Sequence, residues 1–412
     1  MVSSTIDHMT AVTALLAATL IFIGLFGQTI QTALIYQQHK TLSNKANDIL
    51  DNLLLTPGIP INWGQTDGLP TGFGLQDPEF TQYKLSPYSL MRLNSSVGQP
   101  VYYAGRYYSN ITLGNPPRNF LLVPNDLSIN YSTASKLLGL NNTYGFQISL
   151  APIVSVSVQP IQLTNPANTL TLKRGVTGVG SPLSYATISY CFLKVLAPNP
   201  NSIGYAISFN TIKADASGSA IINIPNVAAT DCYAFVAYAR LGGLVGIGYS
   251  ERTSGFAHVV PFVDSFEDGI IRIAHSYNVH VDPGNEASVR FNATYVLLAE
   301  DYTLREMQIL DDVEKIVYAA GGGAQGNAQT YVDITIPTHN PGFLILPYKA
   351  SNSAGVVLMP WGVSAMAFPV VFGGDPSKQE WVATDMRQIT VGGITYQARI
   401  SLWSLEGYQV NE

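Results

Sequence analysis

The spacing of apolar and polar positions changes period along this chain, and each change predicts a different kind of element. Ala11 to Tyr36 is apolar on every side, with Asp7 the only acid and no Lys or Arg before Lys40. Leu, Ile, Ala and Phe dominate as far as Gly27. Gln28, Gln31 and scattered threonines follow, ahead of Ala33-Leu34-Ile35-Tyr36. About 20 apolar residues cross a bilayer as a helix, each rising about 1.5 Å. Further on, apolar residues thin to a single face. Leu42, Ala46, Ile49, Leu50 and Leu53 recur at helical spacing, and Pro57-Gly58 stops the run. The pattern predicts one helix from about residue 10 to 54, near 65 Å long. Its first part would be a transmembrane anchor and its second a stalk. A cleaved secretory signal would have a basic start, a shorter apolar core and a small-residue cleavage site. None of these is present, so the anchor is expected to be retained.

Residues 57–152 alternate short elements with turns. Ser86-Pro87 reads as an N-cap with proline at the first helical position, leading Tyr88 to Leu93. Ser132 to Leu138 is a second short helix closed by Gly139, while Asn119 to Val123 and Tyr144 to Leu150 read as strands. This stretch is expected to be a small α+β collar on the end of the stalk.

From 153 to 250 the period is two. Val154, Val156 and Val158 alternate with Ser155 and Ser157, as in a half-buried strand. Further candidate strands follow at the spacing of a sandwich. Residues 251–412 read as a second β-sandwich. Its Gly355 to Phe372 stretch is apolar enough for another membrane span. Pro360, Pro369 and the turn at Trp361-Gly362 make two buried strands the better reading. The predicted fold class is therefore a transmembrane helix and stalk, a small α+β collar, then two Ig-like or related β-sandwiches.

Two stretches resemble known families. Leu53-Leu54-Leu55-Thr56-Pro57-Gly58-Ile59-Pro60-Ile61-Asn62-Trp63-Gly64 follows directly on the hydrophobic helix. With Phe73-Gly74-Leu75, Tyr88-Ser89-Leu90-Met91-Arg92-Leu93, Leu137-Leu138-Gly139-Leu140 and Tyr144-Gly145-Phe146-Gln147-Ile148, it resembles archaeal pilin-like surface proteins over about residues 10–150. The resemblance implies a membrane-anchored helix, a β-rich head outside the cell and polymerisation through helix cores. A processed prepilin also has a basic leader before its helix, and this chain departs from that pattern. Ala214 to Pro225 resembles the hairpin turn of bacterial-type Ig-like surface repeats, with Asp215 and Gly218 supplying the turn.

Composition narrows the function classes. Charged residues are 12% of the chain, and 23 tyrosines are present. Polarity therefore rests on hydroxyls and amides. A net charge of −6 without a basic patch argues against a nucleic-acid partner. Lys40 and Lys45 just after the anchor favour a cytoplasmic body by the positive-inside count, although long domains translocate largely regardless of charge. Cys191 and Cys232, the only cysteines, are expected to form a disulfide in an oxidising compartment. Sequons at Asn94, Asn110, Asn130, Asn141 and Asn292 are glycosylation candidates, and four of them crowd into the collar. Together these favour an extracellular body.

Catalytic signatures are missing. The sequence has no Gly-x-Ser-x-Gly elbow and no P-loop at Gly321 to Gly326, and no cofactor is implied. His258, His275 and His280 read as isolated surface histidines without metal-ligand spacing. The acidic loop with Asp264, Glu267 and Asp268 is the one candidate Ca²⁺ site, without the full Asp-x-Asp-x-Asp pattern. The sequence thus predicts a single-pass, non-enzymatic cell-surface protein with a structural or adhesive role. Its expected partners are the membrane, other surface proteins or glycans, and copies of itself through the helix. The alternatives are a pilin-like filament subunit and a surface hydrolase.

Overall fold

The computed structural model describes residues 2–405 except 80, 94–99, 114–117, 141–142, 163–169, 179, 200–201, 229, 255–256, 280–286, 300, 311–312, 321–328, 351–352 and 363–366. A single helix, Val2–Leu55, is followed by a body built mostly of strands in sandwich-like layers. No proline interrupts the helix. Threonines within the apolar run turn their hydroxyls onto the preceding turn: Thr13 donates to Met9 O, Thr19 to Leu15 O, Thr29 to Leu25 O and Thr32 to Gln28 O, at 2.8–2.9 Å. Every described position from Ile6 to Gln38 is exposed, whereas Leu42, Ala46, Ile49, Leu50, Leu53 and Leu54 are buried. The stripe expected from spacing is the one that docks.

It docks on a five-stranded sheet in the order Lys84–Leu85, Ala383–Val391, Ile394–Ser404, Tyr144–Pro152, Val370–Gly373. This sheet corrects the expected division of the chain. Residues 57–152 and 251–412 are not separate units, because Tyr144–Pro152 lies antiparallel between the last strand and Val370–Gly373, with Ile148 opposite Ile400. Arg118–Pro124 likewise joins Val259–Ser265 in a six-stranded sheet. The body begins and ends at the stalk. Ala354–Trp361, from the stretch apolar enough to suggest a second span, is a strand paired with Gly342–Lys349 and buried along almost its whole length.

Residues 154–252 do form a sandwich. One sheet runs Ser202–Lys213, Thr187–Asn199, Tyr233–Leu241, Leu244–Arg252, and the other Ser219–Ile224, Leu170–Gly178, Val154–Gln162. Alternation sorts its two cores. Ile188, Tyr190, Phe192, Tyr233 and Phe235 fill the sandwich interior. Cys191, Leu193, Val195, Ala234 and Val236 point the other way, into the main core. The expected hairpin at Ala214 to Pro225 is instead a crossing between sheets. Ser202–Lys213 pairs with Thr187–Asn199, but Ser219–Ile224 pairs with Leu170–Gly178. The turn itself is as tight as its residues imply: Asp215 accepts from the Ser217 and Ser219 amides, and Gly218 has φ 71°.

The expected disulfide is absent, and both cysteines are buried without bonding to each other. Strand register is the reason. Cys191 lies opposite Val236, whereas Cys232 accepts, through its carbonyl, from the Val195 amide. Four residues along a strand are about 13 Å, and a disulfide needs Cα atoms within about 7 Å. The Cys232 thiol donates instead to Ala354 O.

Candidate functional site

The end of the long helix and the segments that follow it converge on one place, the joint where the helix enters the body. Helix end and body share backbone hydrogen bonds: Leu75 N donates to Leu53 O at 2.8 Å and Gln76 N to Thr56 O at 3.0 Å. Gly74 lies so close to Thr56 that a Cβ there would collide with its carbonyl. Trp63 is fully buried, and its indole N–H lies between Pro57 O at 2.9 Å and Gly74 O at 3.0 Å. Ser86 caps the short helix Pro87–Met91 as its sequence predicts, accepting from Ser89 N.

Arg92, just after that helix, is 0% exposed. Its guanidinium donates to Leu127 O (2.9 Å), Thr66 O (2.8 Å), Gly68 O (2.7 Å) and Trp63 O. It also lies over the rings of Trp63 and Phe266. Burial pulls its pKa down to about 10, which leaves it charged at neutral pH. One planar cation thus gathers three carbonyls of the 63–68 loop, from the buried Trp63 to the exposed Gly68.

On the opposite flank Arg387 grips the helix, donating to Asn47 Oδ1 and pairing with Asp51 at 3.2 Å and with Asp385 at 2.9 Å. Lys45 lies 4.1 Å over the Tyr144 ring. His39 stacks on Trp381, with ring centroids 3.8 Å apart and nearly parallel. The helix leaves the body at this stack. Before it, Ile6 to Gln38 spans about 50 Å at 1.5 Å per residue, more than the roughly 30 Å hydrocarbon core of a bilayer. The helix is long and apolar enough to cross a membrane, with a mean hydropathy of 2.3 in its most apolar window.

The other sequence-predicted sites do not assemble. Asp264 lies 3.2 Å from Arg272 and 3.7 Å from Arg106, so its charge is answered by guanidinium groups rather than offered to a cation. Glu267 and Asp268 point to solvent, which leaves no Ca²⁺ site there. Among the described residues no group of His, Cys, Asp and Glu could hold a metal ion. His258 and His275 are buried, contrary to the surface reading; His258 Nε2 is 2.8 Å from Ser353 Oγ, and His275 Nδ1 accepts from Tyr277 N. His280 lies outside the described residues.

Among the sequons, Asn292 is buried with Oδ1 accepting from Ala293 N, which removes it as a glycan acceptor in the folded chain. Asn130 is exposed at the N-cap of Tyr131–Leu137, where Oδ1 accepts from Thr133 N and leaves the amide nitrogen available. Asn110 lies in the strand Arg106–Leu113. Asn94 and Asn141 lie outside the described residues. Sequence reasoning missed the roles of Arg92, Arg387 and Trp381, whose partners across the joint, Gly68, Asn47 and His39, are 24, 340 and 342 positions away. The one available signal was an arginine inside an apolar run, Leu90-Met91-Arg92-Leu93.

No protein-family model matches the chain, and no curated protein matches it. Solved structures with some likeness include E. coli alpha-2-macroglobulin, at 11% identity and a TM-score of 0.20, covering 57% of this chain and 18% of that one. The D0-D1 domain of intimin matches at 12% identity and a TM-score of 0.19, covering 54% of this chain and 98% of that one. The chain thus spans under a fifth of the alpha-2-macroglobulin. Likenesses this loose assign it no function.

Proposed function

We propose that the protein is a single-pass membrane-anchored surface protein whose body stands outside the cell in a structural or adhesive, non-catalytic role. One observation carries this reading: a continuous helix whose first part is apolar and exposed on all sides, and whose last turns are locked into the body. Such a helix exposed to water would be a large aggregation liability. In a bilayer its backbone and threonine hydroxyls are already satisfied within the helix. Two cysteines that do not bond to each other remove the disulfide from the case for an outside body. That case rests on the pilin-like resemblance, the exposed Asn130 sequon and the scarcity of ionic side chains. A filament subunit is the second reading, favoured by the rigid joint, which would transmit helix packing to the body.

The test is immunogold electron microscopy on intact, unpermeabilised cells with antibody against residues 255–412. Gold scattered over the envelope supports the anchored surface protein, and gold in lines along filaments supports the second reading. Labelling only after permeabilisation overturns both.

A further inference from the structure

Far along the chain from the joint, the sandwich sheet meets Asp301, Tyr302 and Thr303 in a cleft of about 450 Å³. Register builds its floor. Thr211, Ser189 and Tyr238 form one cross-strand row, and Lys213, Thr187 and Arg240 form the next on the same face. Ser189 Oγ and Thr211 Oγ1 are 3.3 Å apart. Tyr238 is 1% exposed, and its hydroxyl has no partner among the described residues.

The wall is Tyr302, held at φ 63°. A tyrosine pays for this left-handed backbone with strain that clusters at ligand sites. The turn is pinned by Asp301, which accepts from Thr303 N and Oγ1 and from Arg305. Arg240 lies 4.0 Å over the Tyr302 ring and has no carboxylate partner among the described residues. Lys213, in the same row, is exposed and has no ion pair among the described residues. Asp301 is paired with Arg305, which leaves Arg240 as the lining charge without an opposite partner among the described residues. A plain surface Arg–Tyr stack would account for Arg240 and Tyr302. It leaves the buried Tyr238 hydroxyl and the row of hydroxyls beside it without a purpose.

We propose that this cleft binds an acidic glycan, with a uronic-acid carboxylate on Arg240 and sugar hydroxyls on Thr187, Ser189, Thr211 and Tyr238. The volume lies within the usual range for small-ligand sites, and the hydroxyl-rich floor suits a saccharide better than an apolar ligand. The proposal names the ligand class for the adhesive reading above and rests on it.

The experiment is isothermal titration of the full chain in detergent micelles with trigalacturonic acid, and with maltotriose as the neutral control. The expected result is binding of trigalacturonate but not maltotriose, weakened by salt. Arg240→Gln should reduce it by about tenfold or more, and Tyr238→Phe several-fold, at unchanged melting temperature. Should Arg240→Gln disturb the fold, Ser189→Val narrows the floor without touching Arg240 and should abolish binding. Absence of heat with trigalacturonate at millimolar concentration overturns the proposal, as does undiminished binding in both Arg240→Gln and Ser189→Val. Failure of the surface assignment reads differently, because the body would then be shielded from antibody in intact cells whatever the cleft binds.

Discussion

Arg92 illustrates how much of this fold hangs on one side chain. Its planar fork reaches carbonyls of Trp63, Thr66, Gly68 and Leu127 together, and a lysine ammonium has neither the reach nor the geometry for all of them. Arg92→Lys should therefore destabilise the chain by about 2–4 kcal/mol, read as a lowered denaturant midpoint in detergent, with new protease cleavage between 63 and 68. An unchanged midpoint would mean that the loop holds itself. The cysteines make the complementary point. Their faces were legible, because Cys191 and Cys232 both fall on the main-core side of alternating strands. Their distance was not, because alternation fixes a face and leaves the register open. Burial also raises the pKa of the Cys191 thiol, keeping it protonated and unreactive. A thiol reagent should label both cysteines only after unfolding, and a reductant should leave the melting temperature unchanged. A reductant-sensitive transition would contradict the register.

At the scale of elements, the joint between helix and body combines a buried apolar stripe with a partly exposed ionic clasp, and magnitudes decide which governs. Leu50 is 0% exposed, so Leu50→Ala should cost about 2–5 kcal/mol. Arg387 and Asp51 retain 27% and 35% exposure, and Arg387→Ala should cost about 1 kcal/mol or less. Hydrogen exchange separates the two: Leu50→Ala should strip protection from residues 42–54 while the sheets keep theirs, and Arg387→Ala should leave it nearly intact. The reverse order would make the clasp the true fastening. The stripe was readable from sequence because helical spacing is local. The surface that receives it was not, since Ala383–Val391 and Ile394–Ser404 come more than 300 residues later, and antiparallel pairing of Tyr144–Pro152 with the last strand closes a loop that no local pattern encodes. The Asp215 turn fits the same account. Its residues dictate a tight reversal, and only the positions of the two sheets decide that the reversal changes sheets.

For the whole molecule, the helix is the feature that ties structure to place, and position along it provides a graded test. Leu20 lies near the middle of the exposed apolar segment at 69% exposure, and Tyr36 lies at its body end, also at 69%, close to the His39–Trp381 stack and to Lys40. Aromatic and basic residues gathered at one end of an apolar helix mark a membrane–water boundary. If that end meets the headgroups, an arginine at 36 can reach water by extending its side chain, whereas one at 20 must bring its charge to the hydrocarbon centre. Leu20→Arg should then cost insertion about 2.5–3.5 kcal/mol and move much of the protein out of the floating fraction in a vesicle flotation assay. Tyr36→Arg should float like the wild type. Both variants should keep the body's circular dichroism and melting transition, because neither position touches it. Equal loss at the two positions would mean that the whole helix is buried at uniform depth, as in a filament core. Equal retention would mean that the helix does not hold the protein to a bilayer.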